Sequence, residues 1–180
     1  IRSGQTTAVA TFVKTPGISP LKTRLAKEIG EESAINFYNL SLNAIRNVLK
    51  AAEQESQKTL KPYWAVAEKQ ALGTSEWVGF SCILQGDGGL GKRLHEVYSS
   101  LRAVHGRVIL LGADSPQLTS ELVLKAHAAL NEKNKFVIGP ARDGGFYLFG
   151  GSANLPAEVW ESVNYSAETT CDELLNKIKP

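Results

Sequence analysis

The chain has 180 residues, a formal net charge of +2, 43% hydrophobic and 21% charged residues, close to globular averages and long enough to bury a core without disulfide or metal staples. No run of about 18 apolar residues could span a bilayer, and Lys and Arg are scattered among the acids without the basic stripe of a nucleic-acid binder. Membrane insertion and nucleic-acid partners are therefore not expected, and any anion site has to be local.

Residues 7–14 form a short, β-branched, apolar run closed by Pro16, Gly17 and Pro20, which predicts a buried first strand. A loop leads to 21–29. The following stretch, 31–53, carries Ile35, Phe37, Tyr38, Leu42, Ile45, Val48 and Leu49 near helical spacing and predicts an amphipathic helix. Strands are expected at 63–67, 80–84 and 107–111, with helices at 90–101 and 120–130 after the last two. Two later strands, 136–139 and 146–149, precede a terminal helix at 168–179. Parallel strands are joined by crossovers, usually helical, so the alternation predicts an α/β fold with a mostly parallel sheet in a single domain over 1–180.

Cys82 and Cys171 lie far apart without a CxxC pair, which argues against a disulfide framework or a zinc site. Both read as small buried hydrophobes in a reducing cytoplasm. Residues 1–4 lack the apolar stretch and cleavage site of a secretory signal, in keeping with that compartment. His95, His105 and His127 show no metal-ligand spacing and read as surface or helix residues.

Ligands of open α/β sheets bind outside the carboxyl ends of the strands, so the loops after the strands carry the functional signal. The first, 14–25, gathers Lys22 and Arg24 where a helix begins, and free N–H groups with two cations suit phosphate; the alternative is a solvated loop. The second, 85–93, reads two ways. Gly86, Gly88 and Gly91 have dinucleotide-site spacing, with Asp114 near the place of the acidic residue expected about 20 positions on. Gly86, Gly91 and Lys92 nearly make a P-loop, but Arg93 stands where a hydroxyl should meet magnesium. Glycines that merely make a tight turn are the third explanation.

The loop after the fourth strand is the sharpest signal, because a buried strand ends by presenting Asp114. A hard cation such as Mg²⁺ takes one or two carboxylates plus phosphate oxygens, which suits this position; an Asx-turn with Ser115 and Pro116 is the local alternative. Between the last two strands, Asp143, Gly144 and Gly145 make a hairpin signal. The same residues would also let a sugar or phosphate approach the backbone while Asp143 accepts a hydroxyl.

Taken in order, KTPGISPLKTRLA, QGDGGLGKRL, GADSPQL and GPARDGGFYLFGG resemble a bacterial family described as glycosyltransferases, within the nucleotide-diphospho-sugar transferases of the glycosyltransferase-A fold. More distantly the chain resembles phospholactate and molybdenum-cofactor guanylyltransferases. The resemblance implies a three-layer α/β/α sandwich with a mixed, mostly parallel central sheet. It implies a nucleotide over the first loop, at Pro16, Gly17, Lys22 and Arg24, with Gln85, Gly86 and Gly91 near base and ribose. It also implies Mg²⁺ or Mn²⁺ on Asp114, with Asn164 standing where relatives carry a second ligand.

The function implied is a metal-dependent transferase that glycosylates a small-molecule acceptor from a nucleotide sugar. The alternatives are a nucleotidyltransferase that releases pyrophosphate from a nucleoside triphosphate, and a nucleotide-binding module without catalysis. Lys22 and Arg24 would stabilise the departing phosphate and Asp143 would serve as general base.

Overall fold

The computed structural model describes residues 6–115, 117–131 and 133–178. Residues 1–4, Pro116 and Lys179, to which parts of the expectations above attach, lie outside them. The strands are β1 (Thr7–Val13), β2 (Leu60–Val66), β3 (Ser81–Leu84), β4 (Arg107–Gly112), β5 (Phe136–Pro140) and β6 (Phe146–Gly151). The helices are α1 (Thr23–Ile29), α2 (Glu31–Glu55), α3 (Leu90–His105), α4 (Ser120–Ala129), α5 (Ala157–Glu161) and α6 (Thr170–Ile178).

Period-two alternation in the central strands divides the apolar side chains between two cores. Val9 and Val13 of β1, Trp64 and Val66 of β2, and Ile109 and Leu111 of β4 face one side, where Leu42, Ile45 and Leu49 of α2 and Val123 of α4 cover them. Ala8 and Ala10, Ala65, and Val108 and Leu110 face the other, against Leu94, Val97 and Tyr98 of α3, Trp160 of α5 and Leu174 of α6. Strands β1 and β4 are apolar on both faces because both faces are covered. The result is the expected three-layer α/β/α sandwich.

The six-stranded sheet has the order β3-β2-β1-β4-β6-β5. Strands β1 to β4 pair in parallel, and β6 runs antiparallel to both β4 and β5. The sheet is thus mixed and mostly parallel, and β5–β6 is the hairpin that the Asp-Gly signal suggested. This topology brings the loops after β1, β2, β3 and β4, and the 141–145 turn, to one end of the sheet.

Some elements depart from expectation. Strand β2 begins at Leu60 and contains Pro62, paired with Val9; β3 joins only from Tyr63 onward, so the proline lies where that side of β2 is still an edge. Two short 3₁₀ turns, Lys69–Ala71 and Ser75–Trp77, were not legible. The second seats Trp77 in the core, its ring centroid 5.6 Å from that of Trp64. Cys171 is buried as expected, but Cys82 is only half-buried, because β3 is a four-residue edge strand. No helix among the described residues is long and apolar enough to cross a membrane.

Candidate functional site

At the carboxyl end of the parallel strands an open cleft of about 1320 Å³ runs from the 20–25 segment past the end of β4 to the 140–147 hairpin. Ligand pockets typically enclose about 300–1,000 Å³, so there is room for more than one small molecule. Lys14, Lys22, Arg24 and Arg142 line it together with Asp114 and Asp143. A smaller recess of about 400 Å³ adjoins it through the shared Phe12 and Lys14 and is completed by Gln85, Gly88, Leu90 and Arg93.

The first loop is built from Thr15. Its carbonyl accepts the N–H of Ile18, and Gly17 has φ 79°, so Pro16 and Gly17 form the centre of a turn that favours glycine at this position. Thr15 is tied down in turn, as its N–H and Oγ1 both donate to Glu68 Oε2, at 2.9 and 2.8 Å. Trp77 Nε1 donates to Thr15 Oγ1 at 3.3 Å. Glu68 is buried, and its Oε1 has no partner among the described residues. Behind the loop, Tyr38 of α2 donates to the Lys14 carbonyl and accepts the Lys14 N–H, both at 2.9 Å. Burial pushes the Tyr38 hydroxyl well above the usual tyrosine range; the Lys14 hydrogen bond opposes this, while the negative charges of Asp114, Glu68 and Glu76 add to it.

Lys22 caps α1 in a left-handed backbone conformation, φ 46° and ψ 41°. Its ammonium meets Asp114 Oδ1 at 2.5 Å and lies 5.4 Å from the centre of the Phe37 ring. The Lys22 side chain is 14% exposed and that of Asp114 74%. The principal cation and carboxylate expected from separate loops are thus in contact. Arg24 lines the same cleft, one helical residue beyond the start of α1.

On the far wall, Asp143 accepts the Gly145 N–H at 3.1 Å, and Ala141 donates to the Gly145 carbonyl, which closes the hairpin turn. Asp143 and Gly145 line the cleft, but Gly144 does not. Gly144 has φ 81°, and a Cβ there would overlap the Glu168 carbonyl; its own carbonyl accepts the Cys171 N–H at 2.8 Å. What approaches this glycine closely is the segment leading into α6.

The remaining residues, and Pro16 and Gly17 of the first loop, fall outside the main cleft. Gln85 is buried in the adjoining recess, its Nε2 donating to the carbonyls of Val13 and Ala65 at 3.0 and 2.8 Å, so it fastens the ends of β1 and β2. A Cβ on Gly86 would strike the Glu96 carboxylate, and one on Gly91 would strike the Trp160 carbonyl, where α3 and α5 pack. Close packing thus accounts for Gly91, while Gly86 and Gly88 have φ 82° and 96°, the left-handed region that favours glycine. Asn164 lines neither space; its N–H donates to Glu173 Oε2 and its carbonyl accepts from Thr170 Oγ1, both at 2.8 Å.

Sequence reasoning assigned no site role to Lys14, Arg142, Arg93, Tyr38 or Glu68. Lys14 directly follows β1 and Arg142 precedes Asp143 in the hairpin loop, so position alone flags both. Glu68 has no such signal, since only the fold brings it to Thr15, 53 residues away.

Among the described residues no group of three or more His, Cys, Asp or Glu could hold a metal unaided. A divalent cation seated by one carboxylate and substrate phosphates needs no such group. Asp114 is exposed and already holds the Lys22 ammonium as a stand-in cation, so the residues present fit a metal shared with a ligand.

A crystal structure from Desulfovibrio desulfuricans G20, described as a candidate nucleotide-diphospho-sugar transferase, is similar over 96% of this chain and 74% of its own, with TM-score 0.78 and 23% identity. The 4-diphosphocytidyl-2C-methyl-D-erythritol synthase of Anaerococcus prevotii DSM 20548 is similar over 98% of this chain and 85% of its own, with TM-score 0.55 and 12% identity. These likenesses show a shared fold. No curated protein matches the sequence. Residues 46–167, more than half of the chain, match the family described as "Uncharacterized protein conserved in bacteria" (DUF2064), and the chain belongs to that family.

Proposed function

We propose that this protein is a metal-dependent transferase that uses a nucleotide sugar to glycosylate a small-molecule acceptor. The observation that carries the reading is the meeting of Lys22 and Asp114 in a cleft also lined by Lys14, Arg24 and Arg142. The nucleotide lies against the first loop, its phosphates facing Lys22 and Arg24 and its base reaching toward the recess beside Gln85. Held by Asp114, Mg²⁺ or Mn²⁺ supplies Lewis-acid neutralisation of phosphate charge. Asn164, the second ligand that the resemblance implies, lines neither the cleft nor the recess, so the cation would rest on Asp114 and the donor's phosphates.

In the transfer, an acceptor hydroxyl oxygen bonds to the anomeric carbon. The bond from that carbon to the phosphate oxygen breaks, and the nucleoside diphosphate leaves with the electron pair. Lys22 and Arg24 stabilise the charge on the leaving group. Asp143 accepts the hydroxyl proton; one of its oxygens is oriented by the Gly145 N–H. Both cysteines are free thiols, which suits a cytoplasmic enzyme.

The fold likeness to a synthase whose name records a diphosphocytidyl product favours a second reading, nucleotidyl transfer with pyrophosphate as leaving group. Thermal stabilisation by nucleotide sugars and nucleoside triphosphates, with and without Mn²⁺, on wild type and Asp114→Ala identifies the donor. Product analysis then separates nucleoside diphosphate release from pyrophosphate release. Binding without turnover for every acceptor offered leaves a nucleotide-binding module, and a shift indifferent to both metal and Asp114 refutes the site.

A further inference from the structure

We infer that Lys22 is the exchangeable counter-ion of Asp114, holding the carboxylate until a ligand loads the cleft and giving it up then. The inference rests on the reading of Asp114 as the metal ligand and assigns Lys22 a second role beyond phosphate contact. One carboxylate oxygen and the ammonium are already in contact. A divalent cation therefore reaches Asp114 only in competition with a tethered cation, and ligands that compete for one group weaken each other's binding.

Two features fit exchange better than a fixed structural pair. The first is the backbone. Lys22 is a non-glycine residue in the left-handed region, and its cap position receives no side-chain hydrogen bond. Such conformations persist where the surroundings hold them, and cluster at sites that switch. The second is that the ammonium has another stabilising neighbour, the Phe37 ring at 5.4 Å, on the side of the half-exposed α2 surface. Cation–π attraction keeps the ammonium at the cleft after it leaves the carboxylate. Arg24 lines the same cleft without an ion pair among the described residues, so it provides a contrast within one site.

The consequence is a coupling between metal and nucleotide. Phosphates that draw Lys22 away free Asp114, so the metal alone binds weakly and the nucleotide strengthens it, with the same factor in reverse. The site therefore loads as a metal–nucleotide complex.

The test is binding of Mn²⁺ alone, read from the electron paramagnetic resonance signal of free Mn²⁺, on wild type, Lys22→Met, Arg24→Met and Asp114→Ala. Circular dichroism and melting temperature verify that each is folded, and Lys22→Gln serves where Lys22→Met does not fold. Exchange predicts Mn²⁺ affinity about threefold to fivefold tighter in Lys22→Met, the upper end of what one ion pair with an exposed carboxylate contributes. Arg24→Met should change it by about twofold or less, through the general field alone. Equal gains in the two variants, or no gain in Lys22→Met while Asp114→Ala abolishes binding, overturn the exchange and leave Asp114 as the metal ligand. No Asp114-dependent Mn²⁺ binding in wild type or in Lys22→Met overturns the metal reading and the exchange with it.

Discussion

At their carboxyl ends β1 and β4 run out into a cleft where charge is exposed and Lys22 is held in a strained backbone. At their amino ends the neighbouring residues meet histidines that are satisfied by neutral groups. His105 Nδ1 is hydrogen-bonded to Thr6 Oγ1 at 2.7 Å and its Nε2 to the Tyr63 hydroxyl at 2.8 Å. His127 Nδ1 is hydrogen-bonded to Thr7 Oγ1 at 3.0 Å. A hydroxyl can donate to the bare nitrogen or accept from the N–H, so a neutral imidazole is served there; what disfavours an added proton is burial, then the Lys61 charge near His105 and the Arg107 charge near His127. The difference teaches that the same strands end in neutral, mutually satisfied polar groups on one side and in exposed charge on the other, the arrangement expected where binding residues are drawn from loops on a rigid scaffold.

The largest effect that sharpens this contrast is expected at Asp114. Replacing it by alanine should lower kcat/KM for the donor identified by about 10²–10³-fold, the scale of losing one preorganised charge-stabilising group. Melting temperature should barely change, since the carboxylate is mostly exposed and such pairs contribute about 0–1 kcal/mol. Loss of both together would break the distinction between the two ends. Next comes Gly144→Ala. The new methyl meets the Glu168 carbonyl and the backbone is left-handed, so urea unfolding should report a loss of about 2–4 kcal/mol.

A smaller effect, about 1–3 kcal/mol, is expected for Glu68→Ala, which removes the acceptor of the Thr15 N–H and leaves that buried donor unpaired. Here the test is a comparison of two losses. If the first loop is held by Glu68 as the geometry indicates, nucleotide affinity falls along with stability. A stability loss with unchanged nucleotide affinity would show that the loop's shape does not depend on its anchor.

How far the sequence led differs between the layers. Strands β1 and β4 were legible because their apolar runs are bounded by turn residues, and α2 because its buried positions recur at three and four. The mostly parallel sheet followed from the helices between strands, and the hairpin from Asp143-Gly144. The 3₁₀ turns at 69–77 and the five-residue α5 carry too few residues to show a period. At the site, Lys22 and Asp114 were both named, yet their contact was not, because it depends on two loops 92 positions apart being set side by side by the β1–β4 pairing. Gly91 and Gly144 were read toward a ligand, whereas their crowding comes from Trp160 and Glu168, which no local motif reveals.

The smallest effect tests the closed end. Burial, together with Lys61 for His105 and Arg107 for His127, lowers the proton affinity of both imidazoles below that of an ordinary histidine. In the unfolded chain each would bind a proton near pH 6.5. As pH falls through that value the unfolded state takes up protons that the folded state still refuses, so the unfolded state binds more and stability drops. The drop levels off only below the folded values. Urea midpoints should therefore be flat from pH 8 to about 7 and decline toward pH 5. Since other groups titrate at lower pH, the informative quantity is the difference from a His105→Gln, His127→Gln double variant. That variant should be less stable than wild type at pH 7.5, where the hydroxyl partners are best served, and should lose less between pH 7 and 5.5. Parallel pH curves for the two proteins would mean that the histidines admit protons as readily folded as unfolded, and that the amino end of the sheet is as open to charge as the cleft.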